Sequence, residues 1–364
     1  MWLINGAFRG VRGLWSYGCL VILISTMAAI PILQFAAFGY LLECSSRISR
    51  KLSWSECIPG QTIARRVVVG AVCVGLSWLA VWYVTDLAYT AEIIEPGNVN
   101  SGRLRVASFV LSFAWVGWIA WALFRGGRIR DFLWPAPIRF VKSFWRPAVW
   151  REAEDRLWNF VTSLHVPRLM WTGLMASIGA IIWLAIPASL IMVSLNRPGD
   201  GAALLGVIGF PLMVWVLAIV PFLQVQFASD RKFGSLFRYR AVRDAYKRTP
   251  WSMLWGIFIL FVFSTPLYLL RIEPIPTELN WILTFFFVFF LFPAHLVIGW
   301  AWGRSRRHEK RVHWFWRYVA WVPQLAVIVS YVGVLYLAKF TSWEGGYVFL
   351  LQHTVLPPVP FFLR

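Results

Sequence analysis

Charge is what this 364-residue chain has least of: Asp, Glu, Lys and Arg together make up 14% of it, against about a quarter in a soluble domain. Acidic residues are scarcer still, 16 against 35 Lys and Arg, for a net charge of +19. No polar stretch is long enough to form a separate soluble domain. That excludes the usual nucleic-acid reading of a basic chain, because the Lys and Arg lie between apolar runs and are not gathered on one polar face. Four cysteines show no CxxC or Cys/His spacing, so neither a metal centre nor a disulfide framework is expected. Cys19 and Cys73 fall in apolar runs, Cys44 and Cys57 in a basic gap, and all four read as free thiols.

Catalytic motifs are missing too. There is no GxSxG, no Walker A and no dinucleotide fingerprint, so no enzyme class and no cofactor is assigned. His308, Glu309 and His313 come near a zinc HExxH. The second His is one residue too far, which turns the two rings about 140° apart on a helix.

What fills the chain instead is apolar: 59% of residues, in eight runs each about long enough to cross a bilayer. They cover residues 17–42, 67–90, 106–124, 169–195, 202–228, 251–270, 279–303 and 318–338. The runs are unbroken and do not alternate, so they predict helices, and the fold class is an all-α polytopic transmembrane bundle. Twenty-seven of the 35 Lys and Arg sit in every second gap, 43–66, 125–168, 229–250 and 304–317. By the positive-inside rule those gaps are cytoplasmic and both termini lie outside. The first run leaves two readings open. It either crosses, giving eight spans, or dips in from a cytoplasmic N-terminus held by Arg9 and Arg12, giving seven.

The chain reads as one membrane domain over 1–364, with a hint of duplication into 1–195 and 196–364. Ile30-Pro31-Ile32-Leu33-Gln34-Phe35 matches Val220-Pro221-Phe222-Leu223-Gln224-Val225, Ile94-Glu95-Pro96 matches Ile272-Glu273-Pro274, and Gly117-Trp118 matches Gly299-Trp300. Four spans per unit would make the repeats parallel, related by an axis near the membrane normal.

Two basic segments are amphipathic. In the 125–168 insertion, Ala153, Leu157, Phe160, Val161 and Leu164 share a face over 151–165, with Glu152, Glu154 and Asp155 expected in the first turn. Trp134, Trp145 and Trp150 stand among Arg139, Lys142 and Arg146, the mixture a headgroup layer favours. Over 230–248, Arg240, Arg243 and Lys247 form one stripe and Phe233, Phe237 and Ala241 another. These six basic residues are the expected contacts to anionic inner-leaflet lipids.

Ionisable or amide side chains inside spans are costly and mark candidate sites. Asp86 lies near the outer end of the second span. Gln34, Gln224 and His295 share the cytoplasmic third, each two or three residues after a proline (Pro31, Pro221, Pro293). An interior proline frees the carbonyl four residues earlier, here on Met27, Leu217 and Phe289. Polar side chains with freed carbonyls can build an intramembrane site, and they can equally be plain interhelical hydrogen bonds. Gly173, Ala176, Ser177 and Ala180 predict a close helix contact.

The phrases Phe38-Gly39-Tyr40-Leu41-Leu42-Glu43, Arg240-Ala241-Val242-Arg243-Asp244-Ala245-Tyr246 and Leu267-Tyr268-Leu269-Leu270-Arg271-Ile272-Glu273 resemble a domain-of-unknown-function group of uncharacterised bacterial multi-pass membrane proteins. The resemblance implies a bacterial inner-membrane location and carries no activity. Two function classes stay open: a small-solute or lipid transporter, or a non-transporting scaffold with a lipid-docked basic surface.

Overall fold

The computed structural model describes residues 2–51, 53–134, 136, 138, 142, 146–196, 200–269, 280–341, 348–350 and 352–357. Among these residues the chain is helical, without a strand. The helices are α1 (Trp2–Ala29), α2 (Leu33–Ser49), α3 (Trp54–Cys57), α4 (Gln61–Ile94), α5 (Val99–Phe124), α6 (Ile129–Leu133) and α7 (Pro147–Ser163). They continue as α8 (Val166–Asn196), α9 (Asp200–Asp230), α10 (Tyr239–Arg248), α11 (Pro250–Leu269), α12 (Asn280–Arg307) and α13 (Trp314–Thr341). Seven of them (α4, α5, α8, α9, α11, α12 and α13) are long and apolar enough to cross a membrane. Such helices satisfy every backbone polar group internally, which lipid requires.

The first apolar run is broken. Pro31 has no N–H to donate and its ring crowds the preceding turn, so α1 stops at Ala29. Ile32 then takes φ 73°, a positive value that a β-branched residue rarely adopts. The helix restarts as α2. The expected free carbonyl on Met27 is not free: it accepts the Ile30 N–H at 3.3 Å. Residues 43–49, expected in a loop, prolong α2 to Ser49, and Cys44 is buried within it.

The described chain forms two compact units. One contains residues 1–23 and 60–164. Here α4 and α5 pack along each other, with α6 closing one end through Phe132 against Ile119 and Ala122. Trp115 lies 4.8 Å from Trp78 and donates its indole N–H to Ser77 Oγ at 2.9 Å. Only 17% of the apolar stretch of α4, and of α5, is buried, so most of both helices faces the surrounding solvent, which for such side chains is lipid. The amphipathic helix of the insertion starts at Pro147, four residues earlier than its acidic cluster suggested, because proline suits the first helical position. Glu152, Glu154 and Asp155 therefore sit beyond the first turn. Its apolar side chains Leu157, Phe160 and Val161 are exposed.

The other unit contains residues 24–59 and 165–364. Its centre is α2, packed by α8, α9 and α12, while α11 is sandwiched by α12 and α13. The reason α2 can be surrounded is glycine. A Cβ on Gly39 would stand 2.0 Å from Leu169 O, and one on Gly173 would stand 1.9 Å from Phe35 O, so the two backbones touch there. Further along α2, Gly299 and Gly303 of α12 ride on the Ser45 and Ser49 carbonyls, a GxxxG contact that sequence reading passed over. Gly173, Ala176, Ser177 and Ala180 of α8 are all buried, as their spacing predicted. A 3₁₀ turn (Phe233–Phe237) precedes α10, and the buried face there is Leu236, Val242 and Ala245, leaving Phe233 and Phe237 exposed.

Candidate functional site

A polar interior of the second unit is built by α9, α11, α13 and a C-terminal segment. Gln224 is fully buried, and its amide Nε2 donates to Val355 O at 2.7 Å and Ala176 O at 3.3 Å. Val355 belongs to a C-terminal segment that turns back into the bundle after α13. Residues 352–355 and Phe349 are buried in it. His353 packs 4.8 Å from the ring of Tyr268 on α11 and 5.9 Å from Phe287 on α12, and Phe349 lies 6.2 Å from Phe210 on α9. Tyr268 and Tyr331 join hydroxyls at 2.8 Å. Tyr331 donates to Gln352 Oε1 at 3.2 Å, and the His353 N–H donates to Tyr268 Oη at 3.2 Å. The two tyrosine hydroxyls and the Gln352 amide satisfy one another, which makes them tolerable in low dielectric.

No sequence signal pointed to this returning segment. It is short, has no helical period and follows the last span, where loops normally stay outside. The prolines of Pro357 onward and the amide of Gln352 were the only marks of a non-helical stretch needing internal partners.

The residues expected to form a site are only partly brought together. Phe38 stands edge-on to the His295 ring at 5.8 Å, and Gln34 is one turn before Phe38 on α2. Phe38 also shares a core cluster with Ala176, the residue whose carbonyl Gln224 caps. No hydrogen bond joins Gln34, Gln224 and His295 among the described residues. Both ring nitrogens of His295, and Oε1 of Gln34 and of Gln224, are buried without a partner. Ser45 Oγ reaches the His295 backbone carbonyl at 2.7 Å, which fixes that turn of α12. Asp86 is exposed on α4 in the other unit.

At the basic end of the bundle a carboxylate went unnoticed in the sequence. Glu43 is buried in the second half of α2, and three guanidiniums converge on it: Arg47 at 2.9 Å, Arg231 at 3.6 Å and Arg168 at 3.9 Å. They come from α2 itself, from the end of α9 and from the start of α8, so one acid ties three helices. Arg50 and Arg307 add bonds to the Ser229 and Ser49 carbonyls at 2.9 and 3.3 Å. Beside them is a cleft of about 280 Å³ lined by Asp230, Asp244, Arg248 and Arg306, with its charges balanced.

Of the expected lipid contacts, Lys142, Arg146, Arg240 and Arg243 are exposed and Lys247 is half-buried, while Arg139 and Trp145 lie outside the described residues. Residues 308–313 are non-helical, and no cluster of three metal-ligating side chains occurs among the described residues. Comparison with protein-family models, with curated proteins and with solved structures returns no match.

Proposed function

We propose that this integral multi-pass membrane protein is a non-transporting scaffold that holds a basic, aromatic-rich face against anionic lipids of the cytoplasmic leaflet of a bacterial inner membrane. The observation that carries this is the bond from Gln224 to Val355 O: the amide best placed to meet a solute is occupied by the chain's own returning segment. The exposed apolar face of α7 and the neighbouring Lys142 and Arg146 supply a docking surface, with each cation near an anionic headgroup contributing about 1 kcal/mol. In this reading the broken first run is the eighth crossing, both termini lie outside, and the halves 1–195 and 196–364 are parallel repeats.

The second reading, a small-solute or lipid transporter, draws on the unpartnered Gln34 Oε1 and His295 ring nitrogens. The two readings separate in proteoliposomes. A scaffold leaves entrapped solutes and labelled lipids where they are, with or without residues 348–364, and a peptide of its basic insertion region floats with anionic vesicles and not with neutral ones. Saturable flux that begins when residues 348–364 are removed would establish the transporter and recast the segment as its plug.

A further inference from the structure

Two neighbouring features on one side of the second unit are continuous through a single residue. Arg243, Lys247 and Arg317 line a pocket of about 300 Å³ together with Tyr246, Trp314 and Trp321. Trp321 also heads a groove of about 890 Å³ between α9 and α13, whose lining is almost wholly apolar.

The groove follows from sequence spacing. On α13, Trp321, Leu325, Ile328, Val332 and Tyr336 recur every three or four residues and so share one face. On α9, Phe210, Val214, Trp215 and Ala218 form the opposing stripe. Ile328 and Val332 are buried and make the floor, whereas Trp215, Trp321 and Tyr336 are exposed and make the walls. From Trp321 to Tyr336 the helix rises about 22 Å, enough to accept a long hydrocarbon chain lying along it. A lipid-facing helix needs no such trough, since acyl chains solvate any apolar face.

The upper pocket is charged in one sense. Lys247 has Asp244 at 3.3 Å. Among the described residues, no carboxylate lies within 4.0 Å of Arg243 or Arg317, and Arg317 Nε is buried without a hydrogen-bond partner. Tyr246 donates to Arg317 O at 2.9 Å and the Val312 N–H to Lys247 O at 2.9 Å, so the cations are mounted on a fixed frame. Just below, Gln324 is 6% exposed and its Oε1 has no partner.

We infer that this is a binding site for one anionic phospholipid. Arg243, Lys247 and Arg317 hold the phosphate, Trp314 and Trp321 flank the headgroup, the Gln324 amide meets the glycerol region, and one acyl chain lies in the α9–α13 groove. Guanidiniums match phosphate oxygens in pairs, and the absence of a competing carboxylate at two of the three cations leaves that geometry available. The lipid's chemistry comes from the pocket itself. Only the leaflet it is drawn from rests on the scaffold reading.

The test uses the full chain in detergent, with native mass spectrometry and thermal shift as readouts. The probes are a phosphatidylglycerol, a phosphatidylcholine with the same chains, and glycerol phosphate, which lacks chains. The phosphatidylglycerol is expected to bind tightest, and Arg243→Gln, Lys247→Gln and Arg317→Gln together are expected to weaken it on the order of a hundredfold. Phosphatidylcholine carries the same phosphodiester with a choline cation beside it, so it should bind more weakly at the outset and lose less in that variant. Ile328→Trp, which fills the groove floor, should weaken both lipids while leaving the cations intact. The unfolding midpoint without lipid tells whether either variant is simply misfolded, and Val332→Trp is the replacement if Ile328→Trp is. Glycerol phosphate binding as tightly as the lipid would overturn the proposal in favour of a free-anion site. Equal affinity for both lipids would reduce the groove to ordinary annular contact and overturn it as well. Flux in proteoliposomes would refute the scaffold reading and leave this site standing.

Discussion

Gln224 and Val355 stand 131 residues apart and are joined by a 2.7 Å hydrogen bond inside the bundle. The bond pins the C-terminal segment to the last two turns of α9 and gives a buried backbone carbonyl a donor that lipid cannot provide. Gln224→Leu keeps the volume and removes the donor, leaving the Val355 and Ala176 carbonyls short of a partner. The expected loss is about 1–3 kcal/mol in detergent unfolding. A cysteine placed at Thr354 should become open to a thiol reagent in that variant and stay closed with Gln224 intact. Equal labelling in both would show that the bond does not hold the segment.

Glu43 pairs with three arginines at the basic end of the bundle. Its side chain is 10% exposed, whereas those of Arg47, Arg168 and Arg231 are 31%, 45% and 47% exposed. Breaking a fully buried pair costs roughly 3–5 kcal/mol, and the wet guanidiniums reduce this to about 2 kcal/mol. Glu43→Gln should therefore destabilise the chain measurably, and high salt should narrow the gap between it and the native sequence. A neutral result would mean that solvent already screens the cluster.

The glycines of α2 and α8 separate structural from incidental small residues. Gly39→Ala or Gly173→Ala places a methyl on a backbone carbonyl only 2.0 or 1.9 Å away, so the helices must part, at about 3 kcal/mol or more. A Cβ on Gly117 meets nothing within 4 Å, and Gly117→Ala should be neutral or stabilise by up to about 1 kcal/mol. Expression yield and unfolding midpoint of the three variants check this ordering.

Burial raises the Cys57 thiol pKa above its ordinary value, with the nearby Glu56 carboxylate adding to the rise and Arg47 opposing it. The protonated thiol is therefore favoured in the folded protein. The resulting stability is complete below the unfolded pKa and is lost as pH rises through the folded one. At pH 8 Cys57 should react with maleimide far more slowly than a cysteine introduced at position 308. The difference should shrink as pH approaches and passes the raised pKa. Fast labelling at pH 8 would show the thiol to be solvated.

Topology is open to direct measurement. Cysteines near 58, 140, 240 and 308 should be reached from the cytoplasm only, and those near 98, 199 and 276 from outside only. A cytoplasmic N-terminus with the other sites unchanged would leave seven crossings, and an outside result at 140 would invert the assignment altogether.

Seven helices could be read directly from the residues because lipid imposes a one-dimensional rule: a stretch of about 20 apolar residues must be helical, whatever surrounds it. The small-residue face of α8 could be read for the same reason, since periodicity alone marks it. The break at Pro31 was half legible. The proline announced it, but only the packing of α2 among α8, α9 and α12 decided that the second piece would run on to Ser49. Gln224 was visible as a costly amide, but its partners were not, because one of them lies 131 residues away on a segment without periodicity. Glu43 looked like a loop acid beside a basic run and became a buried tie through arginines from two other helices. The groove below Trp321 was equally hidden. Each of its stripes has helical spacing, yet only the distance between α9 and α13 makes the pair a trough. Local rules act along the chain and survive in one dimension, whereas the meeting of distant side chains depends on which helices pack, and that only the tertiary structure decides.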